Sequence, residues 1–453
     1  MKKNTPNIMI CGAGIAGISA AYHLVVREKI KNVLLLDQGQ PLSLTTDKGT
    51  QAYRNWWPAP DDTMIRFINR SIDLLEELSK ISNNIFELNR RGYVFLTSDT
   101  KKVDKWRETA QISESLGAGN FREQSKKNSY IPSPSQGWMP LDGADLITEQ
   151  KTIGNLYPFI SKDTIAMLHV RRAGWMNSIK LGYWLLEEFK RHGGEFINAK
   201  VVKTIIKHNS LEEVILDTGE SYKPGTFVVA AGPLLKELGK MLDLEIPVSN
   251  ELHGKIKFPD YLNLIPENSP LMIWDDPVYL NWTEEEKQKL LEKGEAWLTK
   301  EFPSGVHFRP NKTNGNNEIM IIWTYDTKTL ETVFPPKFNK YYSEVLLRAL
   351  SKMVPSLKSY FGQAEKAYID GGYYCKTPEN RPLIGSLPIK RAYLIGALSG
   401  FGLMSSQAAA ELLCKYITGD TLPDYADMFS LERYQNPKYK ELLTLLDSYS
   451  GQL

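Results

Sequence analysis

The residues of this sequence whose types and spacing most clearly specify chemistry are glycines. Gly12-Ala13-Gly14-Ile15-Ala16-Gly17 follows at once on the apolar run Asn7 to Cys11 and opens a helical stretch reaching about Glu28. A second apolar run, Val33 to Leu36, ends in Asp37, about 20 residues beyond Gly17. Strand, glycine turn, helix, strand and acid, in that order, predict a βαβ unit that binds a dinucleotide. Gly12 makes the tight turn, Gly14 lets backbone approach a pyrophosphate, and Gly17, with Ala21 one turn later, lets helix and strand pack closely. Free amides at the helix N-terminus then face phosphate, and the Asp37 carboxylate can accept hydrogen bonds from a ribose without a 2′-phosphate. The plainer reading of the same glycines is a tight turn with no ligand.

Positioning such a unit needs further elements. After Asp37 the chain enters a polar loop, Gln38 to Thr50, and then Gln51-Ala52-Tyr53-Arg54-Asn55-Trp56-Trp57, which differs from the quick β-α repeat of a simple NAD domain. Phe227 to Gly232 reads as a strand ending in small residues. Tyr393 to Ala397 reads as another, followed by Ser399-Gly400-Phe401-Gly402-Leu403-Met404 and a helical stretch from Ser406 to Ile417. Both ends suit close approach of backbone to a ligand. The chain's 453 residues, 42% hydrophobic and 24% charged, suffice for two or three structural units. With 55 Lys plus Arg against 53 Asp plus Glu, the net charge of +2 gives no broad attraction for nucleic acid. The three cysteines, Cys11, Cys375 and Cys414, form no C-x-x-C pair and predict neither a disulfide framework nor a metal site, which fits a reducing compartment. No apolar run approaches a membrane span of roughly 18 residues, so a cytoplasmic protein is expected.

On these residues the sequence resembles the FAD-dependent oxidoreductases of the D-amino-acid oxidase, glycine oxidase and sarcosine oxidase family, along nearly the whole chain. Four stretches carry the resemblance: the glycine motif with Asp37; Arg91 to Leu96; the Val-Val-Ala-Ala-Gly strand ending at Gly232; and Gly371 to Gly385, which contains Thr377-Pro378-Glu379-Asn380-Arg381 and continues through Gly400-Phe401-Gly402. The resemblance implies an α/β (α+β), p-hydroxybenzoate-hydroxylase-like fold. A Rossmann-like FAD-binding domain is assembled from discontinuous segments, 1–90, 144–235 and 365–425. A substrate domain built on a mixed antiparallel sheet, 91–143 and 236–364, is inserted between them, and 426–453 forms a C-terminal helical tail that suits packing or dimerisation. It further implies that FAD contacts Gly12, Ala13, Gly14, Ile15, Ala16, Gly17, Asp37, Gln38, Thr45, Thr46, Thr50, Gln51, Val202, Ala231, Gly232, Gly372, Gly400, Phe401, Gly402, Leu403 and Met404. The helix amides after Gly400-Phe401-Gly402 would stabilise negative charge on the reduced pyrimidine edge.

For the substrate, an amine or amino acid, Arg54 falls where sarcosine-oxidase-like relatives hold a carboxylate-binding arginine, and its planar fork suits that task. A structural or phosphate contact is the competing reading. His307 and Arg309 share one face of an alternating strand from Gly305, so either can line the pocket. Tyr373, Tyr374 and Trp323 can supply aromatic walls, Trp323 more simply as core. The sequence also departs from the family. The cysteine that carries covalent flavin in sarcosine oxidases aligns with Gly372, leaving Cys375 out of register, so non-covalent FAD is expected. The strand Ile319 to Thr324 has no lysine to assist O2, and Met404 replaces a second carboxylate-holding lysine, which leaves O2 or another electron acceptor open and implies a more apolar pocket. An NAD(P)H-dependent flavoprotein is disfavoured by the lack of a second G-x-G-x-x-G, and a non-catalytic FAD-binding scaffold stands as the alternative outside enzymes.

Overall fold

The computed structural model describes residues 5–124, 130–134, 138 and 140–446. Its first sheet has six strands in the order Leu383–Ser386, Ala392–Gly396, Thr226–Val229, Ile8–Cys11, Val33–Asp37 and Glu195–Asn198. All neighbours are parallel except the pair Leu383–Ser386 and Ala392–Gly396. Strands covered on both faces are expected to be near-continuously apolar, and Ile8–Cys11 and Val33 to Leu36 at the centre of the sheet are, whereas the edge strand Glu195–Asn198 carries polar residues at both ends. Ile8, Ile10, Val33, Leu35 and Val228 enter the core on one face, where the helices Ile15–Tyr22, Thr63–Ile81, Ser178–Arg191 and Gly402–Thr418 pack. Met9, Leu34, Leu36, Phe227 and Val229 point the other way, onto the small sheet of Val201–Lys207, Ser210–Leu216 and Ser221–Tyr222 and the helix Leu235–Met241.

The second sheet has nine strands, ordered Tyr368–Lys376, Ser249–Pro259, Asn316–Ile322, Val306–Thr313, Leu271–Trp274, Tyr93–Thr97, Ala166–Val170, Ala144–Ile147 and Phe121–Glu123. It is mixed, with parallel pairs only where Leu271–Trp274 meets Tyr93–Thr97 and where Phe121–Glu123 meets Ala144–Ile147. Trp274, Phe258, Phe308 and Ile321 form its core against the helix Tyr342–Met353. Three of these strands, Ala144–Ile147, Ala166–Val170 and Tyr368–Lys376, lie in segments that the sequence reading gave to the cofactor domain. Their long-range partners account for the difference. Ala166–Val170 lies antiparallel on Tyr93–Thr97, and Tyr368–Lys376 runs antiparallel along the whole of Ser249–Pro259. No helix among the described residues is long and apolar enough to cross a membrane.

The C-terminal tail is a short helix, Pro437–Leu443, pinned by a buried network. The Glu379 carboxylate accepts hydrogen bonds from Arg433 (2.5 Å), Tyr434 (3.0 Å) and Tyr439 (2.8 Å). The expected helical tail ran to residue 453, and residues 447–453 lie outside the described ones.

One contact fixes the geometry of the first sheet. A Cβ at Gly17 would lie 1.8 Å from the Gly12 carbonyl oxygen, and one at Gly12, whose φ is +115°, would lie 2.3 Å from the Ala230 carbonyl oxygen. Gly17→Ala is therefore expected to lower the unfolding free energy by about 3 kcal/mol through overpacking. Chemical denaturation should show this as a lower midpoint at unchanged slope.

Candidate functional site

A cavity of ≈ 440 Å³ opens at the carboxyl ends of the parallel strands, where open α/β sheets bind ligands. Its walls are the turns that leave those strands: Gly12 to Ala16 after the first, Asp37 and Gln38 after the second, Ala231 to Leu234 and Ala397 to Gly400 after two others. Two helix N-termini converge on it. The helix Ile15–Tyr22 begins at Gly14 and the helix Gly402–Thr418 at Phe401, and neither N-cap side chain satisfies a backbone amide. Ile15 is instead met by the Thr46 hydroxyl at 3.1 Å. Orphan amides and aligned dipoles at both ends favour a ligand with negative charge.

Bare backbone leaves room for that ligand. A Cβ at Gly14 would find its nearest neighbour at 3.8 Å, and one at Gly232 would meet nothing within 4 Å. The Asp37 carboxylate stands at the cavity wall and organises the turn beneath it, accepting from the Ala13 amide at 2.7 Å and the Gly39 amide at 2.8 Å.

Of the residues expected to contact FAD, Gly12, Gly14, Ile15, Ala16, Asp37, Gln38, Thr45, Thr46, Thr50, Gln51, Ala231, Gly232, Gly400, Gly402 and Leu403 line this cavity. The others stand one layer back for identifiable reasons. Gly17 packs helix on strand, and Ala13 spends its amide on Asp37. Phe401 turns its ring edge-on to Trp57 at 4.8 Å, and Met404 is buried in the core beneath. Gly372 lies under the polar loop, where a Cβ would come within 2.9 Å of the Leu44 carbonyl. Val202 is 44% exposed, whereas its neighbour Val201 is buried and lines the cavity, as strand alternation requires.

Among the residues proposed for chemistry, Tyr373 is at the cavity wall, with its hydroxyl bound to the backbone of Val333. Arg54, His307 and Arg309 lie behind the wall formed by Gly49 to Ala52, buried between the two sheets. Arg54 sits on the short strand Ala52–Arg54, its guanidinium 5.1 Å from the Trp57 ring and 5.8 Å from that of Tyr93. Burial lowers its pKa, against the opposing effect of Tyr93. His307 holds the Gly305 carbonyl through Nδ1 at 2.9 Å, and burial pushes it down to about 4, so it is neutral at physiological pH. Arg309 donates from Nε to the Thr50 carbonyl at 2.7 Å, and burial lowers it to about 10. Trp323 is core, packed on Phe302 and Tyr325.

Sequence reasoning missed a set of residues on the strand Ser249–Pro259. Glu251, His253 and Lys255 alternate along it and are all buried. The His253 ring stacks on Tyr374 at 3.9 Å and meets the Glu251 carboxylate at 3.3 Å, which Lys376 also binds at 3.0 Å. Polar side chains at every second position from Glu251, alternating with Leu252, Gly254, Ile256 and Phe258, were the available signal. Among the described residues no cluster of His, Cys, Asp or Glu could hold a metal ion.

The family model described as "FAD dependent oxidoreductase" (DAO) matches residues 7–416. The chain belongs to this family. It is 21% identical over 424 residues to the mitochondrial dimethylglycine dehydrogenase of Rattus norvegicus, a match covering 92% of this chain and 43% of that protein. The chain thus spans less than half the length of the curated relatives it first matches. In fold it is similar to L-proline dehydrogenase from P. horikoshii, with a TM-score of 0.71, 19% identity, and 95% and 98% of the two chains covered. It is also similar to glycine oxidase from Geobacillus kaustophilus, with a TM-score of 0.70, 13% identity, and 94% and 98% covered.

The chain is an FAD-dependent oxidoreductase of this family, and its cavity presents uncapped helix N-termini, open backbone at Gly14 and Gly232, and the Asp37 carboxylate. Gly14→Val should bring methyl groups into the open space beside the glycine, and the purified variant is expected to lose most of its 450-nm absorbance while keeping its far-UV circular dichroism. A second expectation concerns pH. Since His307 is held near 4 when folded but titrates at its ordinary 6.5 when unfolded, the folded state binds fewer protons between those values. Stability should therefore fall as pH drops from 6.5 toward 4, and His307→Asn should flatten that slope in chemical denaturation.

Proposed function

We propose that this enzyme oxidises the C–N bond of an amine or amino acid, namely a secondary amine, an N-methyl amino acid or a D-amino acid, giving an imine that hydrolyses to a carbonyl product. The observation that carries the reading is the convergence of two uncapped helix N-termini on one cavity, with a buried arginine behind its wall. When bound, FAD supplies the redox chemistry by accepting a hydride at N5. What remains to the protein is to bind, orient and exclude water. The helix Gly402–Thr418 would hold the pyrimidine edge with its N-terminal amides, and Arg54, flanked by Trp57 and Tyr93, would hold a substrate carboxylate beyond the Gly49–Ala52 wall. Tyr373 and Tyr374 close the side of the cavity.

We read the first sheet as the cofactor layer and the second as the substrate layer, a p-hydroxybenzoate-hydroxylase-like division. Non-covalent flavin is the reading that fits the thiols. Cys375 is buried and pushed up to about 12, as is Cys11, so neither is a thiolate at neutral pH. Tyrosine and glycine occupy the positions just before it. O2 or another acceptor reoxidises the flavin.

The test is the visible spectrum of the purified protein before and after acid precipitation, then anaerobically with a panel of secondary amines, N-methyl amino acids and D-amino acids. Yellow supernatant and bleaching by one class are expected; flavin unreduced by every class would instead support a non-catalytic FAD-binding scaffold. Arg54→Met should raise the apparent KM for the bleaching substrate about tenfold to a hundredfold, the worth of a charged hydrogen bond, and spare flavin content. An unchanged KM would remove Arg54 from the pocket.

A further inference from the structure

We propose that Lys255 is a positioning residue: its ammonium holds the Thr45–Gln51 loop in the shape that retains FAD, so that cofactor binding in the first sheet depends on a charge supplied by the second. This rests on reading the cavity as the FAD site. Lys255 is 0% exposed, on the strand Ser249–Pro259, and donates from Nζ to the Asp47 carbonyl and, at 3.4 Å, to that of Gly49. Arg309, two strands away, takes the next carbonyl, Thr50, at 2.7 Å. Three carbonyls of one loop are therefore drawn toward buried cations of the second sheet, while Gly49, Thr50 and Gln51 line the cavity. The loop is fixed at its other end by Thr45, which donates to the Tyr373 carbonyl at 3.0 Å, and by Thr46, which accepts from the Ile15 amide. A backbone segment tied this way has little freedom to turn its carbonyls into the cavity, where they would repel the electron-rich edge of a flavin or phosphate.

The lysine gains little as a structural device. Burial pushes it down to about 8, partly offset by Asp47 and Asp370, with Lys257 and Arg309 opposing, and the Asp370 carboxylate is shared with Lys48 at 3.0 Å. A folded pKa below the unfolded value means that the protonated ammonium costs stability at neutral pH and that this cost disappears as pH rises through 8 toward 10.5. A residue kept there for folding alone would be better replaced by an apolar side chain of similar volume.

The experiment compares wild type, Lys255→Met and Lys255→Arg. It measures the FAD dissociation constant by flavin fluorescence from pH 7 to 9.5, and the melting temperature of the flavin-free proteins. The expected result at pH 7 is a loss of FAD affinity of at least tenfold in Lys255→Met, with substantial rescue by Lys255→Arg. The flavin-free melting temperature should be unchanged or higher in Lys255→Met, because its loop can rehydrate its carbonyls in the empty cavity. Wild-type affinity should weaken as pH rises through about 8, and the methionine variant should not follow. Equal FAD affinity in Lys255→Met and wild type, or flavin loss only in step with a lowered flavin-free melting temperature, would overturn the inference alone. A wild-type protein that takes up no FAD would overturn the cofactor reading with it.

Discussion

Everything at the site depends on one contact made without side chains, the approach of the helix Ile15–Tyr22 to the strands Ile8–Cys11 and Thr226–Val229 through Gly12 and Gly17. With a Cβ at either glycine the helix would stand off from the sheet, and its N-terminus would leave the crevice between the strand ends. The closeness is supported from behind. Gln407, on the helix Gly402–Thr418, donates to the Ser19 hydroxyl at 2.9 Å and pairs with the buried His23 at 3.2 Å, so the two helices that aim at the cavity are locked to each other. Small residues, Ala408 to Ala410, fill the space between them. Neither helix has an N-cap side chain for its first amides, although Thr46 meets that of Ile15, and the amides left over suit a ligand that supplies acceptors.

The distribution of buried charge complements that arrangement. Carboxylates buried elsewhere are neutralised where they stand: Asp145 by Arg122 and Arg171, Glu379 by Arg433. Between the two sheets the balance tilts the other way. Arg309 and Lys255 direct their charges at backbone carbonyls, and Arg54 lies against aromatic faces. Dipoles and quadrupoles stabilise these cations without cancelling their fields. These cations would suit a flavin that gains negative charge on reduction and, on the proposed function, a substrate that carries a carboxylate.

How far the sequence revealed this follows from how local each feature is. The glycine motif and Asp37 were legible because turn, helix start and acid lie within one βαβ unit. Val202 turns its side chain to solvent while its neighbour Val201 lines the cavity, because cavity wall and solvent alternate along that strand. The segment Thr377 to Arg381, one of the stretches that carry the family resemblance, is tied into the architecture. The Thr377 hydroxyl closes the turn on Arg381, Arg381 reaches Asp61 at 2.7 Å, and Glu379 anchors the tail through groups more than 50 residues away. Sheet membership of Ala144–Ile147, Ala166–Val170 and Tyr368–Lys376 was hidden because it is decided by partners distant in sequence. Lys255 was hidden for the same reason, since a lysine in a strand reads as solvent-facing until its neighbours are known.

The same field bears on which form of a substrate amine can react. The imidazoles of His307 and His253 are both pushed down by burial, His307 to about 4, so at neutral pH the buried positive charge here comes from Arg54, Arg309 and Lys255, with Asp47 and Asp370 partly offsetting Lys255. A positively charged ammonium brought into such a place is disfavoured twice, by desolvation and by like charge, and both effects lower its pKa. A carboxylate on the same molecule is favoured by those charges. If the substrate is an amino acid, as proposed, such surroundings would favour the form whose nitrogen has shed its proton, which has the lone pair able to push a hydride from the adjacent carbon. On the proposed reaction, a dedicated base beside the reacting carbon would then be unnecessary, because the buried cations would disfavour the protonated amine.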